Sequence, residues 1–157
     1  MGLFNGGREM TRAEFVATII RAYGLTANGD GTVFSDVDGS AWYCGAVGKA
    51  YEYGLVTGVG GGKFNPGRPI TRQEATVILQ RAARLAGYAG STGDIDSFAD
   101  ADSVSDWALD SVKFSIGSGL ITGDDGLLRP QEGIIRAEAA AVVLTLLQTV
   151  EFVDVRS

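Results

Sequence analysis

Three arginines stand in nearly the same phrase: Arg12 in "MTRAEF" (10–15), Arg72 in "ITRQEA" (70–75) and Arg136 in "IIRAEA" (134–139). A guanidinium presents five N–H donors in a planar fork that fits a carboxylate or a phosphate. At the first position of a helix it would lie beside unpaired backbone N–H groups, and together these make an anion site. A cation there is mildly unfavourable towards the helix dipole. The arginine nevertheless recurs, even where the preceding threonine has become Ile135, which points to a use. The other reading is a structural ion pair to an aspartate such as Asp36, Asp100 or Asp154, and the two readings are compatible.

The residues around each arginine show what must position it. Thr71 can accept from the N–H of Glu74 while the Glu74 carboxylate accepts from the N–H of Thr71, a reciprocal cap that starts a helix, and Thr11 with Glu14 repeats it. Apolar stripes follow at 13–24, 74–87 and 137–148, so three similar helices are expected. The third is apolar nearly all round and is expected to be the most buried.

Longer stretches repeat as well. The segments "GLFNGGREMTRAEF" (2–15), "GKFNPGRPITRQEA" (62–75) and "GLLRPQEGIIRAEA" (126–139) align as one tail, each arginine eight residues beyond Phe4, Phe64 or Leu128. Heads appear as "FSDVDGSAWY" (34–43) and "FADADSVSDW" (98–107), followed at one distance from Trp42 and Trp107 by "GLVTG" (54–58) and "GLITG" (119–123). Trp42, Val47 and Ala50, then Trp107, Val112 and Ile116, predict head helices over 41–54 and 106–119, each closed by a glycine, Gly54 or Gly119. A third head opens at "FVDV" (152–155). The chain thus divides into repeat units at 1–25, 34–87, 98–149 and 152–157 within a single domain, 1–157. The fold class expected is all-α for the most part, with pseudo-three-fold packing around a central three-helix bundle and Gly-rich loops between.

Composition excludes several functions. With 13 Lys+Arg against 19 Asp+Glu the net charge is −6, which argues against nucleic acid or an anionic membrane surface as partner. There is no histidine and one cysteine, Cys44, which removes a disulfide framework, a histidine zinc site and a histidine base. Cys44 is expected as a small buried thiol inside a helix. "NGDGTVFSD" (28–36) and "GDDG" (123–126) hint at calcium loops, but the first and twelfth positions of such a loop would be Thr26 and Val37, so turns fit better. No metal or cofactor is expected. Acid pairs such as Glu74 with Asp100 lack an activated nucleophile or a distinctive constellation, so the chain is not expected to be an enzyme. No apolar run reaches membrane-spanning length.

Phe-x-Asp-Val, a tryptophan, Gly-Leu-Val-Thr-Gly, Phe-x-Pro and Ile-Thr-Arg-x-Glu occur in that order within 34–75, and four of these elements recur within 98–138. In this the chain resembles the bacterial S-layer homology family. The resemblance implies an extracellular cell-wall anchor at the bacterial surface, in which three modules surround a central three-helix bundle and the grooves bind secondary cell-wall polysaccharide, typically with a pyruvylated amino sugar. It also implies that the motif arginine contacts the pyruvate carboxylate, which nominates Arg12 and Arg72 and, through its eroded motif, Arg136.

A sugar offers an apolar face to an aromatic ring and needs close polar groups, so Trp42, Trp107, Gly58 and Gly123 are groove candidates ranked below the arginines. Against this, a tryptophan at helical spacing commonly packs into a core and a glycine serves its turn. Asp36 and Asp100 could receive sugar hydroxyls, or could cap and form turns. Glu132 stands where Arg8 and Arg68 stand, so the groove at Arg136 is expected to be the least cationic, with fewer than three grooves working. The competing function is an assembly module that associates with proteins, including another copy of the chain, without binding glycan.

Overall fold

The computed structural model describes residues 7–156; Phe4, and the side chains of the 152–155 phrase, lie outside that description. Five helices carry the fold: α1 (Arg12–Ala22), α2 (Cys44–Glu52), α3 (Arg72–Leu85), α4 (Leu109–Gly117) and α5 (Arg136–Arg156). Among the described residues there is no strand, only isolated bridges between loops. The three arginine helices α1, α3 and α5 pack on one another at the centre, while α2 lies on α1 and α4 on α3.

The helix starts form as their residues dictate. Thr11 with Glu14 and Thr71 with Glu74 make complete reciprocal caps. At α5 only half survives: the Ile135 N–H donates to Glu138 at 3.1 Å, and Ile135 has no side-chain oxygen to return the bond. Gly54 and Gly119, at φ 73° and 74°, turn the chain out of α2 and α4 in the left-handed region.

What joins the repeats is a pair of hydrogen-bond rings around the pseudo-three-fold axis. In the inner ring Met10 N donates to Ile134 O, Ile134 N to Ile70 O and Ile70 N to Met10 O, at 2.9, 3.1 and 2.9 Å. In the outer ring Arg12 N donates to Arg68 O, Arg72 N to Glu132 O and Arg136 N to Arg8 O, each at 2.9 Å. Every loop before an arginine helix therefore bonds both neighbouring repeats.

Three expectations change. The third helix is not the most buried: α1 buries Ala13, Phe15, Val16, Ile19 and Ile20, whereas α5 keeps Ala137, Ala140 and Leu144 exposed. The reason is geometric, because α1 is covered by α2 and α3 by α4, while among the described residues α5 packs only on α1 and α3. The head helices begin later than the periodicity suggests, at Cys44 and Leu109, so Trp42 lies ahead of α2 and Trp107 lies in a 3-10 turn, Asp106–Ala108. Both indoles are exposed, by 68% and 61%, and neither is core. Helix α5 also continues past 148 through the "FVDV" phrase to Arg156.

Candidate functional site

The site is built from the loop before each arginine helix upward. Asp36 accepts from the N–H groups of Phe64 and Asn65 at 2.8 Å each, which holds the tail loop and its left-handed residue, Asn65 at φ 57°. Asp100 does the same for Leu128 and Arg129 at 2.7 and 2.8 Å. Desolvation pushes both carboxyls up, but these backbone donors outweigh it and leave both pKa values below the usual range. Both oxygens of each aspartate are thus engaged by the fold, and the two residues position the loops.

The loop in turn holds the arginine. Arg12 Nε donates to Phe64 O at 2.8 Å, and its guanidinium lies 4.9 Å from the centre of the Phe64 ring. Its Nη1 meets Glu74 at 3.1 Å, and Arg68 reaches the same Glu74 oxygen at 2.6 Å. Arg72 pairs with Glu138. The structural partners of Arg12 and Arg72 are therefore the capping glutamates of the next repeat, not the aspartates Asp36 or Asp100. Burial draws the Arg12 pKa down and Glu74 partly offsets it. Desolvation raises Glu74, yet the Thr71 N–H, Arg68 and Arg12 together hold it below the ordinary carboxylate value.

The starts of α1 and α3 are closed to an anion. Arg12 N and Ala13 N donate to Arg68 O and Pro66 O, Arg72 N and Gln73 N donate to Glu132 O and Pro130 O, and the next amide in each helix goes to the capping threonine. The neighbouring repeat's loop has taken the donors that a free helix would offer. The cationic chemistry of the site comes from side chains alone.

Two grooves follow. The first, a cavity of about 530 Å³, is lined by Arg12, by the 55–59 loop with Gly58, by Arg68, Glu74 and Arg81 of the second tail, and by Trp107 of the second head. Arg81 also donates to Leu55 O at 3.3 Å. The second, about 290 Å³, is lined by Arg72, the 119–124 loop with Gly123, and Glu138, Ala141, Val142 and Thr145 of α5. Gly58 and Gly123 have φ of 88° and 77°, and a side chain on either would strike the ring of Phe34 or Phe98. These glycines serve the turn and line the grooves at once.

The first groove gathers Arg12, Trp107 and Gly58; the second gathers Arg72 and Gly123; Trp42 and Arg136 line neither. Each groove takes its arginine from one repeat and its far wall from the next, so Arg68 serves Arg12. By the same step the loop carrying Glu132 adjoins Arg72, and Arg8 adjoins Arg136. The substitution at Glu132 thus depletes the groove at Arg72 rather than the one at Arg136. Arg68 and Arg81 went unnominated in the sequence; the Arg8/Arg68 recurrence was visible, but which arginine it would serve was not.

The described residues hold no cluster of three or more His, Cys, Asp or Glu side chains arranged for a metal. Asp30 in "NGDG" caps a 3-10 turn through the Thr32 N–H, and Cys44 is buried. No helix among the described residues is long and apolar enough to cross a membrane.

The S-layer homology domain, as a family profile, matches residues 33–76 and 97–140. A surface-layer 125 kDa protein of Lysinibacillus sphaericus is 35% identical over 157 residues, which cover 98% of this chain and 13% of that protein. The exoglucanase XynX of Acetivibrio thermocellus is 35% identical over 147 residues, or 92% and 13% of the two chains. An amylopullulanase of Thermoanaerobacterium thermosulfurigenes is 34% identical over 147 residues, 92% of this chain and 8% of that enzyme. The chain spans about an eighth or less of the length of these relatives.

Proposed function

This chain belongs to the S-layer homology family, and on that premise we propose that it anchors a protein at the bacterial cell surface by binding a secondary cell-wall polysaccharide, without catalysis. The observation that carries the reading is the Arg12 groove. Three guanidiniums face one carboxylate there, in a cavity of ligand size. Trp107 stands exposed at its edge, and an exposed indole is the surface on which the apolar face of a sugar stacks. Arg12 uses Nε and Nη1 within the fold and still lines the cavity, so it can receive a carboxylate such as that of a pyruvate ketal.

Calorimetric titration with purified wall polysaccharide, native and stripped of its pyruvate groups, tests this. Binding is expected to need the pyruvate, and Arg12→Ala or Trp107→Ala is expected to weaken it by about tenfold or more each. A folded protein indifferent to the glycan would instead leave the repeats as an assembly scaffold and the arginines as ion pairs.

A further inference from the structure

The two grooves are built from corresponding positions of successive repeats and differ in their electrostatics. Around Arg12 stand Arg68 and Arg81, opposed by Glu74. Around Arg72 stand Glu138, with which it pairs, and Asp124, where the first groove has Val59. Thr145 occupies the helix position that Arg81 occupies in α3, each nine residues beyond the first residue of its helix, and Glu132 replaces Arg68 in the loop. Arg129 lies 3.5 Å from Asp124 but outside the cavity lining, so it offsets that charge without offering a donor inside. The Arg72 groove is therefore close to neutral, with Leu79, Leu120 and Val142 in its wall and no aromatic ring among its lining residues.

Resting on the glycan-binding reading, we propose that the two grooves take different ligand classes: the Arg12 groove a sugar that carries a carboxylate, the Arg72 groove an uncharged sugar. A carboxylate entering the second groove would meet one guanidinium already committed to Glu138 and would lie near Asp124. Discrimination by an unfavourable charge is as effective as attraction by a favourable one. The chain then reads two features of one polymer, and a stretch of wall glycan with both charged and uncharged units engages it more tightly than a uniform one.

The test uses two synthetic methyl glycosides of an N-acetylated amino sugar, one with a 4,6-O-(1-carboxyethylidene) ketal and one with a 4,6-O-isopropylidene ketal. They differ by one carboxylate. Titrations followed by amide NMR read Gly58 for the first groove and Gly123 for the second. The carboxylate probe is expected to saturate Gly58 at a concentration at least about tenfold lower than Gly123, and to bind at Gly123 no better than the isopropylidene probe. The double change Asp124→Val with Thr145→Arg should then bring the carboxylate probe to Gly123, and Arg68→Thr with Arg81→Thr should remove the preference at Gly58. Equal saturation of the two glycines by the carboxylate probe overturns the assignment while leaving glycan binding intact. Silence of both probes at both grooves, in a protein whose spectrum remains dispersed, overturns the glycan reading itself and the assignment with it.

Discussion

Helices α1 and α3 each carry a head helix on the same stripe, and they hold it by different means. On α1 the stripe is Ala13, Val16 and Ile20, all buried, and the first head shares one apolar core with the central bundle. On α3 the corresponding positions are Gln73, Thr76 and Gln80, equally buried but polar. There Gln73 exchanges two hydrogen bonds with Ser105, at 2.9 and 3.0 Å, and Gln80 accepts from Ser111 at 2.7 Å. Beyond that seam Ile95, Val104, Ala108, Val112 and Leu128 form a core of their own. Along this stripe one backbone arrangement is thus reached by apolar burial in one lobe and by matched hydrogen bonds in the other, while Phe114 and Leu120 of the second head still join the central core. Apolar contact tolerates substitution of similar volume, whereas a buried amide accepts only a partner that completes it.

The sharpest way to break this comparison is to truncate the stripes. Ile20→Ala should cost about 2–4 kcal/mol in denaturant unfolding, through lost burial and a cavity. Gln80→Ala should cost about 1–3 kcal/mol by orphaning the Ser111 hydroxyl, and the double change Gln80→Leu with Ser111→Ala should recover most of it. If Ile20 truncation were the cheaper, or the double change as damaging as the single, the two lobes would not differ in kind. Amide exchange adds a second check, with the head amides of α4 expected to open at lower free energy than those of α2.

Acid should act on what the lobes share. Glu74 and Glu138 have folded pKa values below the ordinary 4.5, Glu74 because its donors outweigh its desolvation, Glu138 because Arg72 and the Ile135 N–H do. Their contribution is complete above the unfolded carboxylate pKa and is lost as pH falls through the depressed folded values. Thermal midpoints are therefore expected to fall below about pH 4.5 and to fall less steeply in Glu74→Gln. An unchanged acid slope in that variant would remove Glu74 from the account.

Smaller effects refine the picture at single caps and single hydroxyls. Thr71→Ala should cost about 1 kcal/mol, while Ile135→Thr, which restores the missing half of the third cap, should gain about 0.5–1 kcal/mol in chemical denaturation. Ser115 Oγ, in the α4 lobe, is buried with no hydrogen-bond partner. Its replacement by alanine should leave stability unchanged or raise it by up to about 1 kcal/mol, and a clear loss in the same assay would reveal a partner that geometry does not show.

Much of the architecture was legible because it is local. Thr71 and Glu74 announce the start of α3 within four residues, Gly54 and Gly119 announce the ends of α2 and α4, and recurrence of the whole phrase announces three-fold packing. The groove was less legible because its parts come from four stretches of chain. Spacing pointed to Arg12 and Trp107, but not to Arg68 and Arg81 as companions of Arg12, because that depends on which repeat follows which around the axis. The sealed helix amides escaped for the same reason, since Pro66 and Pro130 accept from a neighbouring repeat. Trp42 and Trp107 looked helical by period, and their exposure follows from turns that end before α2 and α4 begin. The exposure of α5 was hidden by its composition, because an apolar residue does not state whether anything covers it.

The ring through Met10, Ile70 and Ile134 has a kinetic consequence. Each of its three bonds joins positions separated by about 60 residues or more along the chain, and the set is complete only when all three loops have arrived. In a linear solenoid a unit can be added or removed at one end, and stability grows by neighbour terms. A closed ring has no end, so an intermediate with two loops docked leaves donors and acceptors unmet. Assembly is then expected to be late, cooperative and slow for a helical protein of this size, with the three repeats arriving as one event.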